Sequence, residues 1–416
     1  SNNLMLKQLL IIGFVWPEPR SSAAGIRMMQ LIAAFQNEKY HITFASPCAK
    51  SDNAFNLETI EVDQVVIELN NPSFDIFIKN LNPNVVLFDR FMMEEQFGWR
   101  VAEQCPQALR VLDTEDLHCL RKGRWQAFKN GDVFDNSYLF NDFAKREIAS
   151  IYRCDLSLII SEVEIEILKH QFKVDELLLL YLPFMLDLIS EEVIETFPKS
   201  ENRNHFITIG NFLHEPNYNA VLYLKETIWP LIKQQLPHVE LHVYGAYTSQ
   251  KVNQLNNKKE GFIIKGFADD VNEVMQQSRV CLAPIRFGAG LKGKLVDAMQ
   301  NGTPFVTTSI GAEGVFGDFK MDDIIEDEPL RFAMKAVQLY NNENDWLNKQ
   351  QKGFQVINAR FNKTELQQKL MSKIDETIQQ LNQNRLNNFT GQMLMHHTLQ
   401  STKFMSKWIE EKNKIK

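Results

Sequence analysis

The sequence predicts an α/β protein of two Rossmann-like domains with parallel sheets, followed by a C-terminal helical segment. Short apolar, β-branched runs of strand length alternate with stretches of helical spacing, the pattern of parallel sheets covered on both faces. Six such runs fall in each half of the chain. The 416 residues also exceed one domain at ~150 residues each. Finally, 44% hydrophobic with 23% charged residues is a globular mixture, which excludes disorder, collagen and a disulfide miniprotein.

The 45 lysines and arginines fall short of the 52 aspartates and glutamates, for a net charge of −7. Nothing draws such a chain as a whole to a polyanion, so a general nucleic-acid coat is not expected. The longest apolar runs, Leu9 to Val15 and Leu177 to Leu186, are well short of the ~20 residues that span a bilayer. Cys48, Cys105, Cys119, Cys154 and Cys281 are odd in number and scattered, without a Cys-x-x-Cys pair or zinc spacing. Reduced core thiols and a cytoplasmic location are expected, the more so because no secretory cleavage site is legible.

In the first half the strand candidates are residues 9–14, 41–46, 62–69, 84–89, 108–113 and 155–161. In the second half they are 205–211, 239–245, 261–266, 279–285, 303–308 and 322–327. Residues 190–204 are polar, with one proline and no apolar periodicity, which is how a surface linker reads. The domains are therefore drawn at 1–190 and 205–350, with helices over 351–416. Leu366, Leu370, Ile374 and Ile378 form one helical stripe that packs back on the domains. For the tail two readings stay open: a mobile terminus, or a basic amphipathic helix of Phe404, Met405, Trp408 and Ile409 among Lys403, Lys407, Lys412, Lys414 and Lys416.

The most informative stretch is residues 283–308, APIRFGAGLKGKLVDAMQNGTPFVTT, in which a strand, a glycine-rich loop, a helix and a second strand follow one another. Gly288, Gly290 and Gly293 allow close backbone approach, and amides at a helix N-terminus point outward beside a positive dipole end. Such a corner suits a diphosphate. Arg286 and Lys292 add full charges, and Asp297 is placed to accept hydrogen bonds from ribose or sugar hydroxyls. Neither a Walker lysine followed by Ser/Thr nor a Gly-x-Gly-x-x-Gly fingerprint is present, which weakens kinase and dehydrogenase readings.

The segment RFGAGLKGKLVDAMQNGTPFVTTSIGAEG resembles the donor-site block of glycosyltransferase family 4, and ITIGNFLHEPNYNAV resembles the opening of that family's donor domain. The resemblance extends over most of residues 8–380. It implies a GT-B fold and metal-independent transfer of a sugar, with retention, from a nucleotide diphosphate sugar (UDP-, GDP- or ADP-linked) to a glycan, lipid-linked or protein acceptor. No further cofactor is implied. Many members carry two glutamates separated by seven residues; here Ala289 stands at the first position and Asp297 at the second. Ala289 keeps a catalytically silent nucleotide-sugar-binding protein open beside the enzyme, and an epimerase of the same architecture is a weaker alternative.

Residue by residue, the resemblance places the amides of Gly290, Leu291 and Lys292 and the backbone of Gly210 at the donor phosphates. It places Gly266 and Phe267 at the nucleotide base and Gly25 at the acceptor-side loop that closes on the donor. In VLDTEDLHCLRKGRW, Asp113, Glu115, Asp116 and His118 crowd one strand end. Its Asp-Leu-His is similar to the family position beside the donor sugar, so His118 and Asp116 are the catalytic candidates. Ser309, Gly311, Glu313 and Gly314 either line the sugar pocket or shape a turn. The strip Arg121, Lys122, Arg124 and Lys129 with Trp125 and Phe128 is a solvated helix face, or meets a phosphorylated acceptor or an anionic membrane face.

Overall fold

The computed structural model describes residues 6–416; the start of the first domain, drawn at residue 1, lies outside the described residues. The first domain is a parallel seven-stranded sheet of order β3-β2-β1-β4-β5-β6-β7. Its strands are β1 (Lys7–Ile12), β2 (Tyr40–Ser46), β3 (Asp63–Val66), β4 (Val85–Asp89), β5 (Leu109–Asp113), β6 (Leu156–Ile159) and β7 (Leu179–Tyr181). The second is a parallel five-stranded sheet of order β10-β9-β8-β11-β12. It is built from β8 (Phe206–Ile209), β9 (Leu241–Tyr244), β10 (Phe262–Gly266), β11 (Val280–Ala283) and β12 (Phe305–Thr307). β4 and β5 are buried at every residue, as a sheet covered on both faces requires. Along β1 the side chains alternate between two cores: Leu9 and Ile11 enter one, Leu10 and Ile12 the other.

Expected at six and six, the strands number seven and five among the described residues. Residues 322–327 form no strand: Asp322 and Asp323 open a 3-10 turn, and one bridge, Thr307 to Ile325, touches the sheet. Aspartates favour turns over ladders, and two isoleucines offer little to pack. The additional strand is β7, inside the apolar run 177–186.

The linker 190–204 contains a short helix, Glu191–Glu195, and a 3-10 turn, Ser200–Asn202. A second crossing lies beside it. The Phe361 carbonyl accepts from the Leu186 amide (2.7 Å), and the Lys363 amide donates back to the Leu186 carbonyl (3.0 Å). The boundary drawn at 350/351 falls inside one continuous helix, Glu343–Arg360, whose Trp346, Phe354 and Ile357 all enter the second core. Helix Lys363–Gln379 then returns to the first domain. Leu370 and Ile374 of its expected stripe are buried there with Met371 and Thr377, whereas Ile378 is exposed. The tail forms helix Phe389–Lys414, which packs on helices Phe91–Gln104 and Asp142–Arg153.

Both sheets reverse winding direction at their middle, between β1 and β4 and between β8 and β11. Open α/β sheets bind ligands beyond the carboxyl ends of strands at this reversal. It puts the loops after β1, β4, β8 and β11 around one interdomain crevice.

Candidate active site

A cavity of about 600 Å³ occupies that crevice, a size suited to a small-molecule ligand. From the second domain, Gly210, Phe267, Gly290, Leu291, Lys292 and Asp297 line it, as does Asp116 from the first. Four other expected residues do not. Gly25 faces the Glu18 backbone, 2.5 Å from where its Cβ would stand, while its neighbours Ala24 and Ile26 line the wall. Gly266, at φ +81, turns the chain toward Phe267 from outside the wall.

Arg286 is a correction. It leaves the crevice to lie over the Tyr223 ring (3.9 Å) and the Phe128 ring (4.9 Å), with Nε donating to Asn219 Oδ1 (3.0 Å). A weakly hydrated guanidinium stacks well on aromatic faces, which β11-loop geometry makes available. Lys294 takes its place in the cavity wall, its Nζ 2.8 Å from Asn217 Oδ1. The two lysines of Lys292-Gly293-Lys294 both reach the cavity because the helix begins only at Gly293, with no side-chain cap at Lys292. Their partners are neutral or distant: Lys292 Nζ donates to the Gly290 carbonyl at 3.2 Å and stands 4.0 Å from Glu313. Burial lowers Lys294 to about 8 and lowers Lys292 as well, against the attraction of Glu313.

The Gly290 amide, expected to be open to phosphate, is taken. Glu164, from helix Glu162–His170 of the first domain, accepts from the Gly290 amide (2.7 Å) and from the Leu117 amide (2.6 Å). Its carboxyl is 2% exposed and raised by burial and by Asp116, which the two amides only partly offset. No local signal marks Glu164, because the contact joins residues 126 positions apart.

His118 is the second correction. Its imidazole lies beneath the wall, edge-on to Phe91, with Nδ1 3.0 Å from the Asp116 carbonyl oxygen and 3.3 Å from Glu147. Glu147 accepts from the His118 and Cys119 amides, so a buried carboxylate caps this helix and draws the imidazole down. Burial acts against the imidazolium, but Asp116 and Glu147 outweigh it and raise the His118 pKa. The imidazole thus stands behind Asp116, outside the cavity wall. Asp116 itself faces the cavity: burial opposes its ionisation, yet Arg121 (Nε 3.1 Å from Oδ2) and His118 hold it below the usual carboxylate range.

From the first domain Arg121 and Glu115, both marked by the sequence, line the wall with Arg27 and with Arg20 and Arg90, which sequence reading missed, and His214 joins from the second domain. Arg90 (φ +76) and Glu115 (φ +67), at the ends of β4 and β5, hold left-handed backbone that non-glycine residues rarely adopt. Such conformations collect at functional sites. Glu115, Asp116 and His118 offer ligand atoms within 4.8 Å of one another, but Asp116 and His118 are committed to Arg121 and Glu147, so the set reads as a charge network.

Among the remaining expected residues, Ser309 bonds Asp327, and Glu313 forms a forked pair with Arg124 (2.5 and 2.8 Å) that bridges the domains. Ser309, Gly311, Glu313 and Gly314 lie outside the cavity wall, which corrects the pocket-lining alternative. Arg124 and Phe128, packed on Phe287 at 5.1 Å, close the interface, whereas Lys122 and Lys129 sit over the Trp125 ring.

Asp297 is half-buried at the cavity wall, and desolvation raises it from 3.8 to about 7. Between pH 4 and 7 the folded state binds the extra proton, so the ligand-free protein loses stability as pH rises through this window. Asp297→Asn is expected to remove that slope: its Tm exceeds the parent's by about 2–4 °C or more at pH 8, and the gain vanishes near pH 4. Calorimetry across pH with equal slopes for both proteins would refute the assignment.

Two facing Rossmann-like sheets, a crevice at both reversal points and a helix returning to the first domain define the GT-B class of fold. Residues 203–342, about a third of the chain, match the family model described as Glycosyl transferases group 1. The second domain is therefore similar to group 1 glycosyltransferase domains. An uncharacterized 44.6 kDa protein in the cps region of Klebsiella pneumoniae is 23% identical over 141 residues, 32% of this chain and 36% of that protein. The chain thus matches about a third of that relative's length. Among solved structures, Anabaena HepE in complex with UDP and glucose superposes with a TM-score of 0.67 at 12% identity, over 89% of this chain and 99% of that one. A mutant of TarM from S. aureus, in complex with Fondaparinux, alpha-GlcNAc-glycerol and UDP, gives 0.56 at 14% identity, over 72% of this chain and 58% of that one.

Proposed function

We propose that this chain transfers a glycosyl group, with retention and without an essential metal, from a nucleotide diphosphate sugar to a glycan, lipid-linked or protein acceptor. One observation carries the reading: two buried lysines, Lys292 and Lys294, meet at an uncapped helix N-terminus in the interdomain cavity with neutral or distant partners. Buried charges are normally paired, and a diphosphate supplies the countercharge. As the glycosidic bond breaks, negative charge gathers on the departing diphosphate, and fixed cations in a dry cavity stabilise it more than they stabilise the intact donor. The departing phosphate itself takes the acceptor proton, so no protein nucleophile is needed.

Asp297 then meets the ribose, Phe267 the base and Asp116 the sugar. HepE, with UDP and glucose, and the cps-region relative support a UDP-sugar donor and a role in glycan synthesis. A second reading, donor binding without turnover, is favoured by Ala289, which packs against the first-domain core and offers no carboxylate. Melting curves with UDP-, GDP- and ADP-sugars, then release of free sugar from the best binder, separate the two. Stabilisation by at least one donor is expected, and stabilisation by none defeats both readings.

A further inference from the structure

Helix Phe389–Lys414 has two unlike sides. Its inner side is fixed: Gly391 packs on the Tyr152 carbonyl, Thr398 accepts from Arg153 (3.2 Å), and Ser406 and Glu410 accept from Arg100 (2.8 and 2.5 Å). On its outer side Met393, His397, Phe404, Trp408 and Ile415 recur at steps of four and seven residues, which keeps them on one line along the helix. Met393 is 45% exposed, Phe404 and Trp408 59% each, and Ile415 87%. Met405, also 59% exposed, widens the stripe. Lys407, Lys412 and Lys414 flank it, with Lys412 over the Trp408 ring at 5.0 Å. Of the two acids nearby, Glu410 is turned inward to Arg100 with Lys407 3.5 Å away, and Glu411 is paired with Lys414, which leaves Lys412 over the Trp408 ring and a net positive edge.

An apolar stripe with tryptophan, edged by lysines on a chain of net charge −7, has the composition of a helix that lies in the plane of an anionic bilayer surface. We infer that this face docks the protein onto such a surface. The same layer of the first domain carries helix Asp142–Arg153 and, beside it, helix His118–Asn130, whose Lys122 and Lys129 surround Trp125. The latter helix starts two residues after Asp116, which lines the cavity, so docking holds the crevice near the lipid plane. A second copy fits less well, because a twofold pairing of this face sets lysines against lysines.

The test uses the full chain in flotation with vesicles of phosphatidylcholine alone or with about one third phosphatidylglycerol, at low and high salt. Binding to the anionic vesicles, weakened by salt, is expected, with a blue shift of tryptophan emission. Phe404→Ser/Trp408→Ser, which removes only outward side chains and leaves Tm unchanged, is expected to bind about tenfold more weakly or less. Equal binding by the variant overturns the inference. So does absence of binding to anionic vesicles, whether the chain is then monomeric or a dimer that the variant dissolves. Donor-induced melting shifts are measured separately, so failure here leaves the transferase reading standing.

Discussion

Sugar release from the preferred nucleotide sugar is expected to fall about 10²–10³-fold in Lys292→Met and again in Lys294→Met, mostly in kcat, as loss of a preorganised charge that acts on the leaving group does. The same substitutions should not weaken the ligand-free fold. Each lysine is 9% exposed, and burial has lowered both toward 8, so the folded chain bears a desolvation cost at neutral pH that a methionine of similar volume removes. Melting temperatures at or above the parent's, together with collapsed turnover, are the joint expectation. Full turnover in either variant would show that its ammonium does not face the leaving group. A large fall in Tm would instead assign that lysine to the fold.

The largest stability effect is expected at Arg100, far from the crevice. Its guanidinium, 1% exposed, lies over the Trp99 ring and joins Asp75, Ser406 and Glu410 (2.8, 2.8 and 2.5 Å). Arg100→Ala strands the buried Glu410 carboxylate, and breaking such a pair costs about 3–5 kcal/mol. Because Arg100 also ties the C-terminal helix to helix Phe91–Gln104, limited proteolysis near residue 400 should accelerate with the drop in denaturation midpoint. Replacing Arg100 and Glu410 by methionine should recover part of the loss, since the buried Glu410 charge is then removed with its partner and only the partly exposed Asp75 is left without its ion pair. A single-variant loss below about 1 kcal/mol, the scale of exposed pairs, would contradict this account.

Much of the fold was legible because burial on both sheet faces writes continuous apolar runs, as in β4 and β5. The exceptions have physical causes. β7 is three residues long and hidden in a longer run, and Asp322 and Asp323 turn an apparent strand into a 3-10 turn. At the site, the glycine loop disclosed itself through residue types at fixed spacing, and Lys292 and Asp297 do line the cavity. Side-chain direction was not legible. Arg286 follows the aromatic faces of Tyr223 and Phe128, and His118 follows Glu147, a residue 29 positions away. Arg27 follows the first-domain glycine loop, whereas Arg90 carries no motif. Their place in the wall follows from strand order, which brings the ends of β1 and β4 side by side.

Glu164 gives the closed molecule a built-in stand-in for its ligand. A carboxylate from one half already occupies the backbone donor of the other half's glycine loop, at Gly290. On the proposed reading, a diphosphate that seeks this amide has to displace the Glu164 carboxyl, which burial and Asp116 raise to about 8 and so hold largely in its neutral form at pH 7. On that reading Glu164 has to release Gly290 before this amide can serve a phosphate, while Lys292 and Lys294 already face the cavity.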